Sequence, residues 1–340
     1  MTALPATSDD AAIWDIWLTP YYLPCISVAD EVGTFAALSA EALDTRTLAS
    51  KLDVNERALG IHLGLLAGLG MVERHDGKWR ATALARTWMH PEGEGYYGPL
   101  LFGFRDRMPL HKGMLETLKT GDKGSEHITF VEEWECGELP LEMAQRIAAF
   151  MHSHSVASSK AVARLPDMAE VKSLLDVGGG SGIFAIEIAR ANPGTSATIM
   201  EIDTMCVAAQ AYVDKSDVGK RVTTTAVDMF RQDWPTGHNA HFFSNIFHDW
   251  TDKTCRLLAE KSFAALPSGG RIMLHEILMD DDGAGPLVPA AFSMLMLLGT
   301  RGRQYSFPEF RDILANAGFV DVTAQRTGGG YYSLVTAHKP

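Results

Sequence analysis

The stretch KSLLDVGGGSGIFAIEIAR, residues 172–190, decides the fold. Lys172 to Val177 is a short β-rich run containing Asp176; glycines at 178, 179, 180 and 182 surround Ser181, and an apolar helical run opens at Ile183 and continues to Arg190. Strand, glycine turn and helix in that order bring a ligand against the backbone and against free helix N-terminal amides, because residues without a Cβ permit close approach. Working outward, the β-rich runs TSATIMEID, VTTTAVDMF, AHFFSNIFHDW and GGRIMLHEIL alternate with helical stretches. That alternation predicts an α/β fold with a doubly wound, mostly parallel sheet. A dinucleotide fingerprint needs glycines at 178, 180 and 183, and position 183 is Ile, so a pyrophosphate cradle and NAD are disfavoured.

Two acids follow at the ends of later strand-like runs. Glu201 lies nineteen residues past Gly182, after Ala197 to Met200, where a carboxylate can accept both hydroxyls of a ribose. Asp228-Met229-Phe230 follows Val222 to Val227. Asp-x-Gly-x-Gly-x-Gly over Asp176, Gly178, Gly180 and Gly182, then Glu201, then Asp228 and Met229, resembles the successive motifs of the class I S-adenosylmethionine-dependent methyltransferases. The resemblance implies that the glycines pack against the methionine moiety, Glu201 holds the ribose, and Asp228 with Met229 lies beside the adenine.

The segment FFSNIFHDW, Phe242 to Trp250, narrows the resemblance to the plant-type small-molecule O-methyltransferases. It covers the whole chain and implies a Rossmann-like C-terminal domain, expected over 169–340, behind a mostly helical N-terminal dimerisation domain with a winged-helix segment, expected over 1–168. It also implies that His248 is the general base and that Glu276, ending the next strand-like run, orients it; Ser244 is placed with the cofactor residues. An imidazole titrating near neutrality suits removal of a hydroxyl proton, and a carboxylate behind it would hold one tautomer. His275 should face the opposite side of that strand and be packed. One position departs from the pattern: where plant members commonly carry Glu in Gly-x-Glu-Arg-Thr, this chain has Gly302-Arg303-Gln304-Tyr305-Ser306, and Gln304 cannot act as a base.

The acceptor is less defined. The overall resemblance is nearest to the bacterial branch that S-methylates 4-methylthio-2-hydroxybutyrate on the way to dimethylsulfoniopropionate, and a thioether needs no base. The alternative is O-methylation of a small aromatic or natural-product hydroxyl with His248 as base; C-methylation of a 2-keto acid is a minor one. Arg105, Arg107, Arg301 and Arg303 could clamp a carboxylate, and Met108, Phe292, Met294, Met296 and Tyr305 offer a soft apolar wall, with Gln304 as a hydrogen-bonding partner. Arg105, Met108, Met294, Arg301, Gln304 and Tyr305 are the expected acceptor contacts.

The rest of the chain bounds these readings. It has 340 residues, 46% hydrophobic and 21% charged, which suits globular domains with cores. Thirty Lys and Arg against forty-two Asp and Glu give a formal charge of -12, which argues against nucleic acid and anionic lipid as partners. Cys25, Cys136, Cys206 and Cys255 are scattered, without metal-site or disulfide-framework spacing. No signal peptide or spanning segment is legible, so a cytoplasmic protein is expected. Residues 11–38 carry Trp14, Trp17, Tyr21 and Tyr22, read as a homodimer interface. The winged-helix outline of residues 47–85 raises a metabolite-sensing regulator as an alternative of another class, but its second helix carries Arg57 and then Ile61, Leu63, Leu65, Leu66 and Leu69, a surface for packing on protein rather than DNA. His152 and His154, two apart, point to different helical faces, so no metal is expected.

Overall fold

The computed structural model describes residues 9–340 other than 94, 106, 123–136 and 138. Cys136 therefore lies outside the described residues. The described part falls into two compact units, drawn from Ile13–Thr129 with Leu278–Ser306, and from Met1–Ala12, Phe130–Ile277 and Phe307–Pro340.

The second of these is built on a seven-stranded sheet. Its strands are β3 (Ser173–Val177), β4 (Ser196–Glu201), β5 (Val222–Ala226), β6 (Ala240–Ser244), β7 (Arg271–Ile277), β8 (Val320–Arg326) and β9 (Tyr332–His338), in the order β5-β4-β3-β6-β7-β9-β8. The first five pair in parallel, and β9 runs antiparallel to β7 and β8. β3 has buried residues from Leu174 to Val177, as a strand covered on both faces requires. The chain enters β3, leaves it through Gly178–Gly182 and starts the helix Ile183–Ala191, whose apolar face joins Leu174, Ile199 and Phe242 in the core. Order reverses at β3/β6, where the carboxyl ends diverge and a crevice opens.

The helical unit contains the two-stranded wing, β1 (Val72–His75) and β2 (Lys78–Ala81), and the helix Glu56–Gly68, capped by Asn55, whose side chain accepts from the Ala58 amide. Ile61, His62, Leu63, Leu65 and Leu66 of this helix are buried, and it packs against the helix Leu287–Gly299. Arg57 donates to the carbonyls of Arg301 and Gly302. A helix so committed to protein contacts keeps no face for a DNA groove.

The units do not divide at 168/169. The helix Leu141–Val162 joins the sheet unit because Leu139, Ala144, Ile147 and Ala148 share a core with Met205 and Ala208. Leu278–Ser306 goes instead to the helical unit, where the apolar helix Leu287–Gly299 buries nearly its whole surface. The aromatic stripe is likewise partly internal: Trp14 is buried edge-on against Trp17 and Phe292, while Ile13 and Ile16 are exposed. No single helix among the described residues is long and apolar enough to cross a membrane.

Candidate active site

The carboxyl ends of β3, β4, β5 and β6 surround a cavity of about 920 Å³, part of it open to solvent. Its wall includes Asp176, Gly178, Gly180, Glu201, Asp228, Met229 and Ser244 of the expected cofactor residues, with Ser181, Asn245, Asp249 and Trp250 beside them. Gly182 begins the adjoining helix as its N-cap. Gly178 and Gly182 have φ of 65° and 75°, and a Cβ at either would collide with Ile246 or Ile199 respectively. The glycines are therefore required by the turn.

The cavity is chemically one-sided: among its described lining residues four are carboxylic acids and none is Lys, Arg or His. Asp176 accepts the Ala185 amide at 3.3 Å through Oδ2, while Oδ1 is buried with no hydrogen-bond partner among the described residues. Glu201 accepts from the Gly180 and Ile202 amides at 3.0 and 3.1 Å. Burial pushes the Asp176 carboxyl up to about 7, opposed by the Ala185 amide and reinforced by Glu201. Burial likewise lifts Glu201 to about 7 against its two amides. Asp228 is more committed, since its Oδ1 accepts the Phe230 and Arg231 amides and its Oδ2 pairs with Arg231 at 2.7 Å. Trp234 Nε1 donates to the Met229 carbonyl, and Ser244 Oγ lies 2.9 Å from His275 Nδ1.

S-adenosylmethionine fits this donor set. Its ammonium would meet the orphaned Asp176 oxygen, its ribose the Glu201 carboxylate, and its cationic sulfonium a wall with acids and no bases. No pyrophosphate would be tolerated there. The described residues hold no group of three His, Cys, Asp or Glu side chains able to share a metal ion.

His248 sits in a short 3-10 turn, Phe247–Asp249, just beyond β6. Its Nδ1 is 3.2 Å from Glu276 Oε2 and its Nε2 is 3.6 Å from Asp249 Oδ1. The Glu276 side chain is only 1% exposed. Its Oε1 accepts the Ile246 and Phe247 amides at 3.1 and 3.0 Å, which ties the end of β7 to the turn that carries the imidazole. The Nδ1 contact is within ion-pair reach but off the line of a hydrogen bond. Asp249 lines the cavity, and its side chain is 19% exposed. Burial raises its pKa to about 6, with His248 pulling it down and Glu276 pushing it up. His275, on the opposite face of β7, is fully buried and stacks on Tyr332, and burial lowers its pKa to about 3.

The expected acceptor contacts belong to the helical unit. Arg105 is no clamp in waiting: Nη2 donates to Asp30 at 2.7 Å, Nε lies 3.5 Å from Glu31, and its side chain is 18% exposed. The buried Asp30 carboxylate, which also accepts from the Tyr96 hydroxyl, needs that partner. Arg107 and Arg301 are exposed, and Arg303 lies over the Tyr305 ring at 4.3 Å. Gln304 and Tyr305 are buried, the Gln304 amide donating to Ser293 Oγ. Met294 is fully buried in its helix, Phe292 packs on Trp14 and Trp17, Met296 is buried and Met108 is half-buried. His152 and His154 do diverge: the first stacks on Tyr212 and approaches Ser181 Oγ at 3.2 Å, the second turns to Phe150 and Met151.

Sequence reasoning missed Asn245, Asp249, Ser155 and Ser181 as wall residues. For Asn245 and Asp249 the available signal was position, in the short segment after β6 that also holds the expected base His248.

The chain matches the family model described as O-methyltransferase domain over residues 127–320. It is 32% identical over 304 residues to 3-hydroxy-5-methyl-1-naphthoate 3-O-methyltransferase of Streptomyces sahachiroi, covering 88% of this chain and 87% of that one. Among solved structures it resembles an O-methyltransferase family 2 protein from Planctomyces limnophilus, in complex with apigenin, with a TM-score of 0.85, 23% identity, and 99% and 97% of the two chains covered. Human N-acetylserotonin methyltransferase, solved in complex with S-adenosylmethionine, matches with a TM-score of 0.62 and 21% identity over 98% of this chain and 99% of that one. The chain belongs to the O-methyltransferase domain family, and it is an S-adenosylmethionine-dependent methyltransferase of small molecules.

Proposed function

We propose that this enzyme O-methylates a hydroxyl on a small aromatic or natural-product acceptor, with His248 as general base. The observation that carries this is the His248–Glu276 arrangement: a buried carboxylate, held by two backbone amides, stands 3.2 Å behind the imidazole Nδ1. That carboxylate favours the tautomer with its proton on Nδ1, which leaves Nε2 to accept a hydroxyl proton and stabilises the imidazolium that results. Bound S-adenosylmethionine supplies an electrophilic methyl group, so the protein has to provide approach geometry and the base. The relative named as a naphthoate 3-O-methyltransferase supports an aromatic hydroxyl as acceptor.

The 4-methylthio-2-hydroxybutyrate reading has weaker support. A thioether has no proton to lose, so it leaves the assembled base without a task, and the relatives named above do not point to it. Asp176, Gly178, Gly180, Gly182, Glu201, Asp228, Met229 and Ser244 are proposed to hold the donor. Homodimerisation through the helical unit belongs to the same proposal, supported by exposed Tyr97, Leu100 and Phe102; the cytoplasmic location rests on sequence alone.

The test is release of S-adenosylhomocysteine from purified protein and S-adenosylmethionine, offered separately a panel of phenols, naphthols and hydroxylated aromatic acids, and 4-methylthio-2-hydroxybutyrate. Turnover with a member of the hydroxyl panel is expected; turnover with the thioether acid alone would replace this reading.

A further inference from the structure

Asn245, the first residue after β6, has the wrong backbone for an ordinary strand exit. Its φ is 56°, in the left-handed region that Asn enters more easily than most residues. The Asn245 amide still donates to the His275 carbonyl at 3.2 Å, and the chain then turns so that the next two amides reach Glu276. The side chain is fixed on one side, where Nδ2 donates to the Tyr332 hydroxyl at 2.9 Å, and that ring is stacked on His275. On the other side Oδ1 is buried and has no hydrogen-bond partner among the described residues. The residue is only 8% exposed, and it lines the donor cavity. A buried amide oxygen left without a partner is costly, and such a group at a cavity wall points to a ligand.

Position along the sheet says which part of the ligand. In the strand order β5-β4-β3-β6-β7 the carboxyl ends present Asp228, Glu201, Asp176, Asn245 and Glu276 in succession. Asn245 therefore stands between the acid suited to the donor's amino group and the carboxylate behind the base, where the reacting end of the donor must lie. An amide oxygen there offers the negative end of a dipole that does not titrate, unlike its neighbours Asp176, Glu201 and Asp249.

We infer that Asn245 distinguishes the charged donor from its uncharged product: its amide oxygen, buried without a hydrogen-bond partner among the described residues at the cavity wall, favours the sulfonium of S-adenosylmethionine over the thioether of S-adenosylhomocysteine. The assignment rests on the donor and is independent of which acceptor is methylated.

The experiment is calorimetric titration of the full-length protein with S-adenosylmethionine and, separately, S-adenosylhomocysteine, at about pH 8 so that the neighbouring carboxylates are ionised. Asn245→Gly keeps the left-handed turn and removes the amide; Asn245→Asp keeps its outline and strengthens the negative end. With Asn245→Gly the donor Kd is expected to rise about tenfold, the loss of one contact between the amide dipole and the sulfonium charge, while the product Kd moves by less than about twofold. With Asn245→Asp the preference for donor over product should increase. Parallel losses for both ligands would make Asn245 a packing residue and overturn the assignment. Tighter donor binding by Asn245→Gly would do the same, by showing that the amide nitrogen faces the cavity. Should Asn245→Gly fail to fold, an unchanged donor-to-product ratio in Asn245→Asp is sufficient to refute it.

Discussion

Glu276→Gln changes one charge and almost no shape, which makes it the sharpest probe of the base. Oε1 can go on accepting the Ile246 and Phe247 amides at 3.1 and 3.0 Å, so the turn carrying His248 should stay in place. The altered position is Oε2, 3.2 Å from His248 Nδ1. An amide NH2 there is a donor, favouring the tautomer with its proton on Nε2 and disabling the nitrogen meant to accept. It also removes the partner of the imidazolium: two unit charges about 4 Å apart at an effective dielectric near 20 interact by about 4 kcal/mol, an upper bound that corresponds to roughly 10³ in rate. The assay is the initial rate of S-adenosylhomocysteine formation at saturating donor with a hydroxyl acceptor that the wild type turns over. kcat/KM should fall by about 10³, the donor Kd should hold within about twofold, and Tm should move by no more than about 4 °C. A folded variant retaining more than about a tenth of wild-type activity would refute the tautomer argument.

Three further outcomes follow from the same geometry. Asp176 and Glu201 are both raised to about 7 by burial, so in the donor-free fold they hold protons that the unfolded chain releases near pH 4. Their contribution to stability is thus present at low pH and lost as pH rises toward about 7, while donor binding needs them ionised; the rise in Tm caused by S-adenosylhomocysteine should grow between about pH 5.5 and about pH 8, and a flat profile would contradict this. Gly182→Ala forces a Cβ into Ile199 at a φ of 75° and should cost roughly 1–3 kcal/mol in urea unfolding while weakening the donor. Arg105→Ala strands the buried Asp30 carboxylate and should cost roughly 3 kcal/mol of stability; a raised acceptor KM with unchanged stability would instead restore Arg105 as a clamp.

Local chemistry was readable and distant pairing was not. The turn after β3 announces itself because Gly178 and Gly182 satisfy a backbone need that a single sequence exposes, and Glu201 and Asp228 stand at strand ends whose runs are legible. His248 and Glu276 could be paired only through the resemblance to the plant-type O-methyltransferases; that the turn after β6 and the end of the neighbouring parallel strand β7 bring them together is not legible in one sequence. Arg105 went the other way: its partner Asp30 lies 75 residues earlier, and no spacing rule connects them. The helix Leu141–Val162 reads as one more N-terminal helix, since only its packing against Met205 and Ala208 assigns it to the sheet unit. Tyr332 lies on the sheet's antiparallel strand β9, so its bond to Asn245 could not be anticipated from either neighbourhood.

The central claim is that His248 removes the acceptor proton. It is tested most directly by a single-turnover measurement on His248→Gln, preloaded with S-adenosylmethionine and mixed with an aromatic hydroxyl acceptor that the wild type methylates. Methyl transfer should slow by roughly 10²–10⁴, the usual contribution of a general base, with donor affinity unchanged. Transfer at the wild-type rate would contradict the claim and leave His248 as no more than a packing residue beside the cavity.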